Sequence, residues 1–146
     1  MPSFQIAVDL YNVTHKLLRL LRSRRPHEAL SGERVSALLA LNESGKASIK
    51  ELAASEHVAH STMSRLVSGL TSKGLTATST HDSDKRTNTV KLTAKGRGAV
   101  KRDILHITRP LAAAIADLPR KDADVLVRAI KVLDNVLSSV STTQSD

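Results

Sequence analysis

Between His60 and Lys73 the polar residues fall on one side of a helical pattern and the apolar ones on the other. Met63, Leu66, Val67 and Leu70 recur at i, i+3, i+4 and i+7, the spacing of a single buried stripe. Setting successive residues about 100° apart leaves Ser61, Arg65, Ser68 and Ser72 furthest from that stripe, with Ser64 beside them. Small hydroxyls and a guanidinium can hydrogen-bond to base edges and to phosphates, so such a face suits a nucleic-acid groove. Every amphipathic surface helix also has a polar side, and periodicity by itself does not separate the two readings.

Charge placement does more. The stretch from His57 to Arg102 holds nine Lys and Arg (Arg65, Lys73, Lys85, Arg86, Lys91, Lys95, Arg97, Lys101, Arg102) against Asp82 and Asp84, which is +7 of the chain's net +8. A basic block of this kind is an electrostatic footprint for a polyanion. Phe4 and Tyr11 are the only aromatic residues, so stacking platforms for single strands are lacking and duplex DNA is the better partner. Around Asp82-Ser83-Asp84-Lys85-Arg86, an arginine could enter a narrow minor groove while a neighbouring carboxylate orients its guanidinium. The same residues could form a solvated turn whose ion pairs contribute under about 1 kcal/mol.

Other chemistries find little support. There is no cysteine, hence no disulfide, thiolate metal site or thiol nucleophile. No Gly-rich phosphate loop, nucleophile elbow or paired carboxylates on an apolar background occur, and no enzyme or cofactor is expected. His57, His60, His81 and His106 are scattered without a ligand spacing, so no metal site is expected. No signal peptide is evident and no apolar run approaches the roughly 20 residues that span a bilayer, so the expectation is a soluble, cytoplasmic protein without a membrane partner.

The elements that must position these residues follow from pattern and punctuation. Ile6, Leu10, Val13, Leu17 and Leu20 or Leu21 mark a first helix that Pro26 ends. A second begins after Ser31 and stops at Gly45, and Ser48-Ile49-Lys50-Glu51 has the capping-box arrangement for a third, short helix to about Glu56. His57-Val58-Ala59 turns the chain into the helix from His60 to Lys73, capped by Gly74. Thr76–Thr80 and Thr87–Leu92 are β-prone segments around the charged loop, which predicts a hairpin. Thr93 can cap a long helix with a kink or short break near His106 to Pro110, and a last helix runs from about Lys121 to Val140 before a Ser/Thr-rich tail. Two short helices joined by a three-residue turn, the second with one face free, are what a helix-turn-helix requires.

The ordered string Glu51-Leu52-Ala53, Val58, Ser61-Thr62-Met63-Ser64-Arg65-Leu66-Val67, Leu70, Lys73-Gly74-Leu75, Asp82-Ser83-Asp84-Lys85-Arg86 and Leu92-Thr93-Ala94-Lys95-Gly96 resembles the MarR family of bacterial regulators. The match spans about Leu30 to Arg97 at motif level. The resemblance implies a mostly α fold: a winged helix-turn-helix lobe with a two-stranded β-hairpin wing, plus N- and C-terminal helices forming a dimerisation region. The corresponding boundaries are 1–30 for the N-terminal dimerisation helix, 31–97 for the DNA-binding lobe, 98–140 for the C-terminal helices and 141–146 for a disordered tail. It further implies a homodimer on a palindromic operator in double-stranded DNA, often released by a small aromatic or phenolic effector; the role expected of such a regulator here is that of a repressor. Carried over by position, recognition-helix contacts fall on His60, Ser61, Thr62, Ser64 and Arg65, with Ser68 on the same face. The wing contact falls on Arg86, with Asp84 as its orienting partner and Lys85 beside them.

This chain departs from the family pattern at Ala59, where a capping Ser is usual, at His57, where a turn Gly is usual, and at Glu56, where an apolar residue usually packs. Thr78 stands where many members carry an Arg. Histidine tolerates positive φ, and a cap at Ser61 would shift the helix start slightly. The apolar width of the last helix, with Leu126, Ile130, Leu133, Leu137 and Val140 flanked by Val125, Val132 and Val136, favours two-fold association. Two other classes remain open at this point. One is a non-specific architectural duplex-DNA-binding protein, and the other is an interaction scaffold that has lost DNA binding.

Overall fold

The computed structural model describes residues 1–25, 30–81 and 84–143, without the side chains of 81, 84–87, 142 and 143. The elements, in order, are α1 (Pro2–Ser23), α2 (Gly32–Ser44), β1 (Lys46–Ser48), α3 (Ile49–Ser55), α4 (His60–Ser72), β2 (Thr76–His81), β3 (Asp84–Leu92), α5 (Ala94–Ala116) and α6 (Arg120–Thr143). The fold is mostly α with a small antiparallel sheet, and the chain divides into compact units at Met1–Ile107 and Thr108–Asp146.

Local chemistry sets most boundaries in the first unit. Ser31 caps α2 by accepting from the Arg34 amide, and Gly45, at φ 78°, ends it in a conformation that a side chain resists. At α3 both halves of the capping box are formed: the Glu51 amide donates to Ser48 Oγ at 3.1 Å and the Ser48 amide donates to Glu51 Oε2 at 2.7 Å. β2 and β3 form the expected two-stranded hairpin, and a third strand extends the sheet. β1 joins it in the order β1-β3-β2, pairing Ala47 with Val90, while β2 pairs Thr78 with Val90 and Thr76 with Leu92. Three residues are too few to show an alternation in sequence, which is why Lys46–Ser48 reads only as the approach to α3.

The core lies beneath this sheet. Leu38 and Leu41 of α2, Leu52 of α3, Met63 and Leu70 of α4 and Val90 of β3 are its largest fully enclosed side chains. Each contributes about 1.5–3 kcal/mol by leaving water, so α4 is held by its apolar stripe while its opposite face stays out.

Two expectations need correction. Of the kink or short break expected between His106 and Pro110, the break does not occur: α5 runs on through Pro110. The ring withdraws one amide, and the stripe of Val100 and Ile107 before it and Ile115 after it keeps helical phase across the gap. Likewise α6 continues to Thr143, so residues 141–143 belong to the helix rather than to a tail; Ser141 Oγ donates back to the Leu137 carbonyl at 3.0 Å. Residues 144–146 and Pro26 lie outside the described residues.

The two terminal helices are the least enclosed. No residue of α1 is buried, and Phe4, Ile6, Tyr11 and Val13 are all more than half exposed. In the second unit Val125, Val127, Ile130, Val132, Leu137 and Val140 are likewise more than half exposed.

Candidate nucleic-acid interface

The recognition surface starts from the turn before α4. His57 adopts φ 52°, the left-handed region that usually selects glycine, and the Val58 amide donates to the Ala53 carbonyl at 3.0 Å. Glu56, which replaces an apolar residue of the family pattern, is accommodated because Ser36 Oγ of α2 donates to its carboxylate. Ala59 supplies no side-chain cap, and α4 nevertheless begins at His60, so the shifted start expected at Ser61 does not occur. The Met63 amide donates to the Ala59 carbonyl at 3.1 Å, which closes the first turn with backbone groups alone.

On α4 the buried residues are Met63, Val67 and Leu70, and His60, Ser61, Arg65, Ser68 and Ser72 are exposed. Thr62 and Ser64 are half-buried on the two flanks. The structure thus brings His60, Ser61, Thr62, Ser64, Arg65 and Ser68 together on one helix, with its charged and hydroxyl-bearing side free of the core. Ser64 and Ser68 also line a groove of about 380 Å³ with Ile49, Val67, Thr71, Ser72, Thr78 and Asn88, between the helix and the sheet. Thr71 Oγ1 and Thr76 Oγ1 lie 2.8 Å apart in a hydrogen bond that fastens the end of α4 to the start of β2.

Asp84, Lys85 and Arg86 lie on the first three residues of β3, with Asp84 paired to His81. Their side chains, and with them the pairing of Asp84 with Arg86, lie outside the described residues, as do Asp82 and Ser83.

Two of the nine cations also serve the fold. Lys95 Nζ donates to the Lys73 carbonyl at 2.8 Å, at the negative end of α4, and Arg97 Nη1 donates to the Leu92 carbonyl at 3.2 Å. Around them, the Thr93 amide donates to the Leu75 carbonyl at 3.1 Å and Thr93 Oγ1 donates to the Gly74 carbonyl at 2.6 Å. Gly96 completes this junction: a Cβ there would stand 1.9 Å from the Leu75 oxygen. The start of α5 is therefore bolted to the carbonyls that follow α4, a connection that the isolated residues of the sequence do not reveal. Among the described residues, no group of three or more His, Asp or Glu is placed to hold a metal ion. No described helix is long and apolar enough to cross a membrane.

A family model described as MarR family matches residues 30–87. An HTH-type transcriptional regulator of Mycobacterium tuberculosis is 30% identical over 129 residues, covering 88% of this chain and 90% of the relative. A solved structure of another Mycobacterium tuberculosis protein superposes with TM-score 0.81 at 20% identity, covering 94% of this chain and 95% of that one. An Escherichia coli MarR variant complexed with operator DNA superposes with TM-score 0.62 at 20% identity, over 88% of this chain and 93% of that one.

Proposed function

The chain belongs to the MarR family of transcriptional regulators, and from that premise we propose that it represses transcription by binding a palindromic operator as a homodimer. The observation that carries the reading is the free face of α4, on which Ser61, Arg65 and Ser68 are exposed while Met63, Val67 and Leu70 anchor the helix from behind. An α-helix presented this way fits a major groove about 12 Å wide. On it, Arg65 is suited to a guanine edge or a phosphate, and the hydroxyls of Ser61, Thr62, Ser64 and Ser68 to either. His60, at the start of the helix, lies beside them. Asp84, Lys85 and Arg86 would meet the flanking backbone or minor groove, Asp84 holding the Arg86 guanidinium in place.

The exposed apolar faces of α1 and α6 support a dimer. A monomer leaves Phe4, Ile130 and Leu137 at least half in water, and a two-fold partner would remove that surface. The boundaries 1–30, 31–97 and 98–140 accordingly mark dimerisation helix, reading lobe and C-terminal dimerisation helices. Release by a small aromatic or phenolic effector is the further property that the family suggests, and a cytoplasmic site follows from a role on the chromosome. The family's role is regulatory, and no catalytic activity is proposed.

Selection of bound fragments from a random duplex pool tests this reading. It should return a two-fold symmetric site bound at least about a thousandfold more tightly than unrelated duplex of the same length. Near-equal binding to both would favour an architectural role, and no binding to either would favour an interaction scaffold.

A further inference from the structure

Gly69 lies inside the continuous helix α4 at a position where alanine would be about 1 kcal/mol better for the helix. What occupies the space of its missing side chain is Arg34 of α2. A Cβ at Gly69 would stand 3.4 Å from Arg34 Nη2, 3.9 Å from Cζ and 4.0 Å from Nε, so the guanidinium lies across the helix backbone there. Arg34 is half-buried, and among the described residues no carboxylate lies within 4 Å of it and no hydrogen bond from its side chain is formed. Among the described residues, then, its N–H donors and its charge have no protein partner.

Position decides what these donors can meet. Gly69 follows Arg65 by one turn and precedes Lys73 by another, and residues four apart on a helix are neighbours at about 5–6 Å. With about 100° per residue, Gly69 lies roughly 40° round from Arg65, toward the flank that carries Thr62 and Leu66. Arg65 and Lys73 are both exposed. Seated over Gly69, the Arg34 guanidinium lies, by helical position, between the turn that carries Arg65 and the C-cap Lys73 on the flank of α4. A helix in the major groove points its outermost residues at the bases and its flanks at the sugar–phosphate walls.

We infer that Arg34, held by Gly69 on the flank of α4, is a DNA-contacting residue that pairs with a backbone phosphate between those reached by Arg65 and Lys73. The inference rests on the DNA-reading role proposed above. It adds one phosphate contact per lobe from a helix outside the helix-turn-helix, and the contact is indifferent to base sequence.

The test is fluorescence anisotropy with the full-length protein on the selected operator and on an unrelated duplex of equal length, titrated across salt. Arg34→Gln should lower the slope of log K against log salt by about 0.9 per lobe, weaken both duplexes by the same factor and leave the thermal midpoint within a few degrees of wild type. Arg34→Lys should restore most of the slope, because the charge returns without the fork. Gly69→Leu, which evicts the guanidinium while keeping it in the chain, should reproduce the loss. An Arg34→Gln protein with the wild-type slope overturns the inference, and so does a lowered thermal midpoint with unchanged slope, which would make Arg34 a packing residue between α2 and α4. A flat salt dependence for the wild type would refute instead the DNA-reading role beneath it.

Discussion

At the scale of single residues, the site separates into groups that face outward and groups that hold the frame. Arg65 is exposed on α4 with its apolar neighbours sealed behind it, so Arg65→Ala should cost about 1–3 kcal/mol of operator affinity per half-site. Binding isotherms on operators mutated one position at a time show which kind of contact is lost: a base contact relaxes preference at one position, and a phosphate contact weakens all sequences alike. Gly96 is of the second kind. Its α-carbon packs on the Leu75 carbonyl, and an added methyl group would have to push backbone aside rather than a flexible side chain. Gly96→Ala should therefore destabilise the lobe by about 1–3 kcal/mol or more in denaturant unfolding, whereas a mutant within about 0.5 kcal/mol of wild type, on the order of a surface change, would show that the junction can yield.

At the scale of elements, capping chemistry carries much of the plan. Ser48 and Glu51 form both bonds of the box at α3, and since this short helix braces α4, Ser48→Ala should lower stability by about 1 kcal/mol; thermal unfolding with no change in midpoint would contradict that. The same local signals are why so much was legible in the sequence. Ser31, Gly45, Ser48 and Gly74 each mark a boundary through their own side chain or backbone freedom, and of the stripe Met63, Leu66, Val67, Leu70 all but the half-buried Leu66 are what α4 buries. What stayed hidden depends on partners distant in the chain. β1 is a strand only because β3 lies beside it, and the Ser36–Glu56 bond spans two helices. Lys95 and Arg97 counted only toward the basic charge, and the carbonyls they donate to were not visible in the sequence. Pro110 misled in the opposite sense: it suggested a kink or short break, and α5 continues through it without a break.

At the scale of the whole molecule, recognition of a palindrome requires two copies of the chain. Leu137 is 54% exposed in a single chain, so Leu137→Glu should leave the protomer folded while converting the dimer to monomer in sedimentation at micromolar concentration. A wild-type monomer there would remove the basis for palindromic recognition. The central claim, that the basic lobe reads duplex DNA through α4 with its flanks on phosphate, is tested most directly by the wild-type affinity for its selected operator as a function of salt. With at least roughly six phosphate contacts per dimer, affinity should fall about a thousandfold between about 50 and 200 mM monovalent salt. A plot of log K against log salt that is nearly flat across that range would contradict the account.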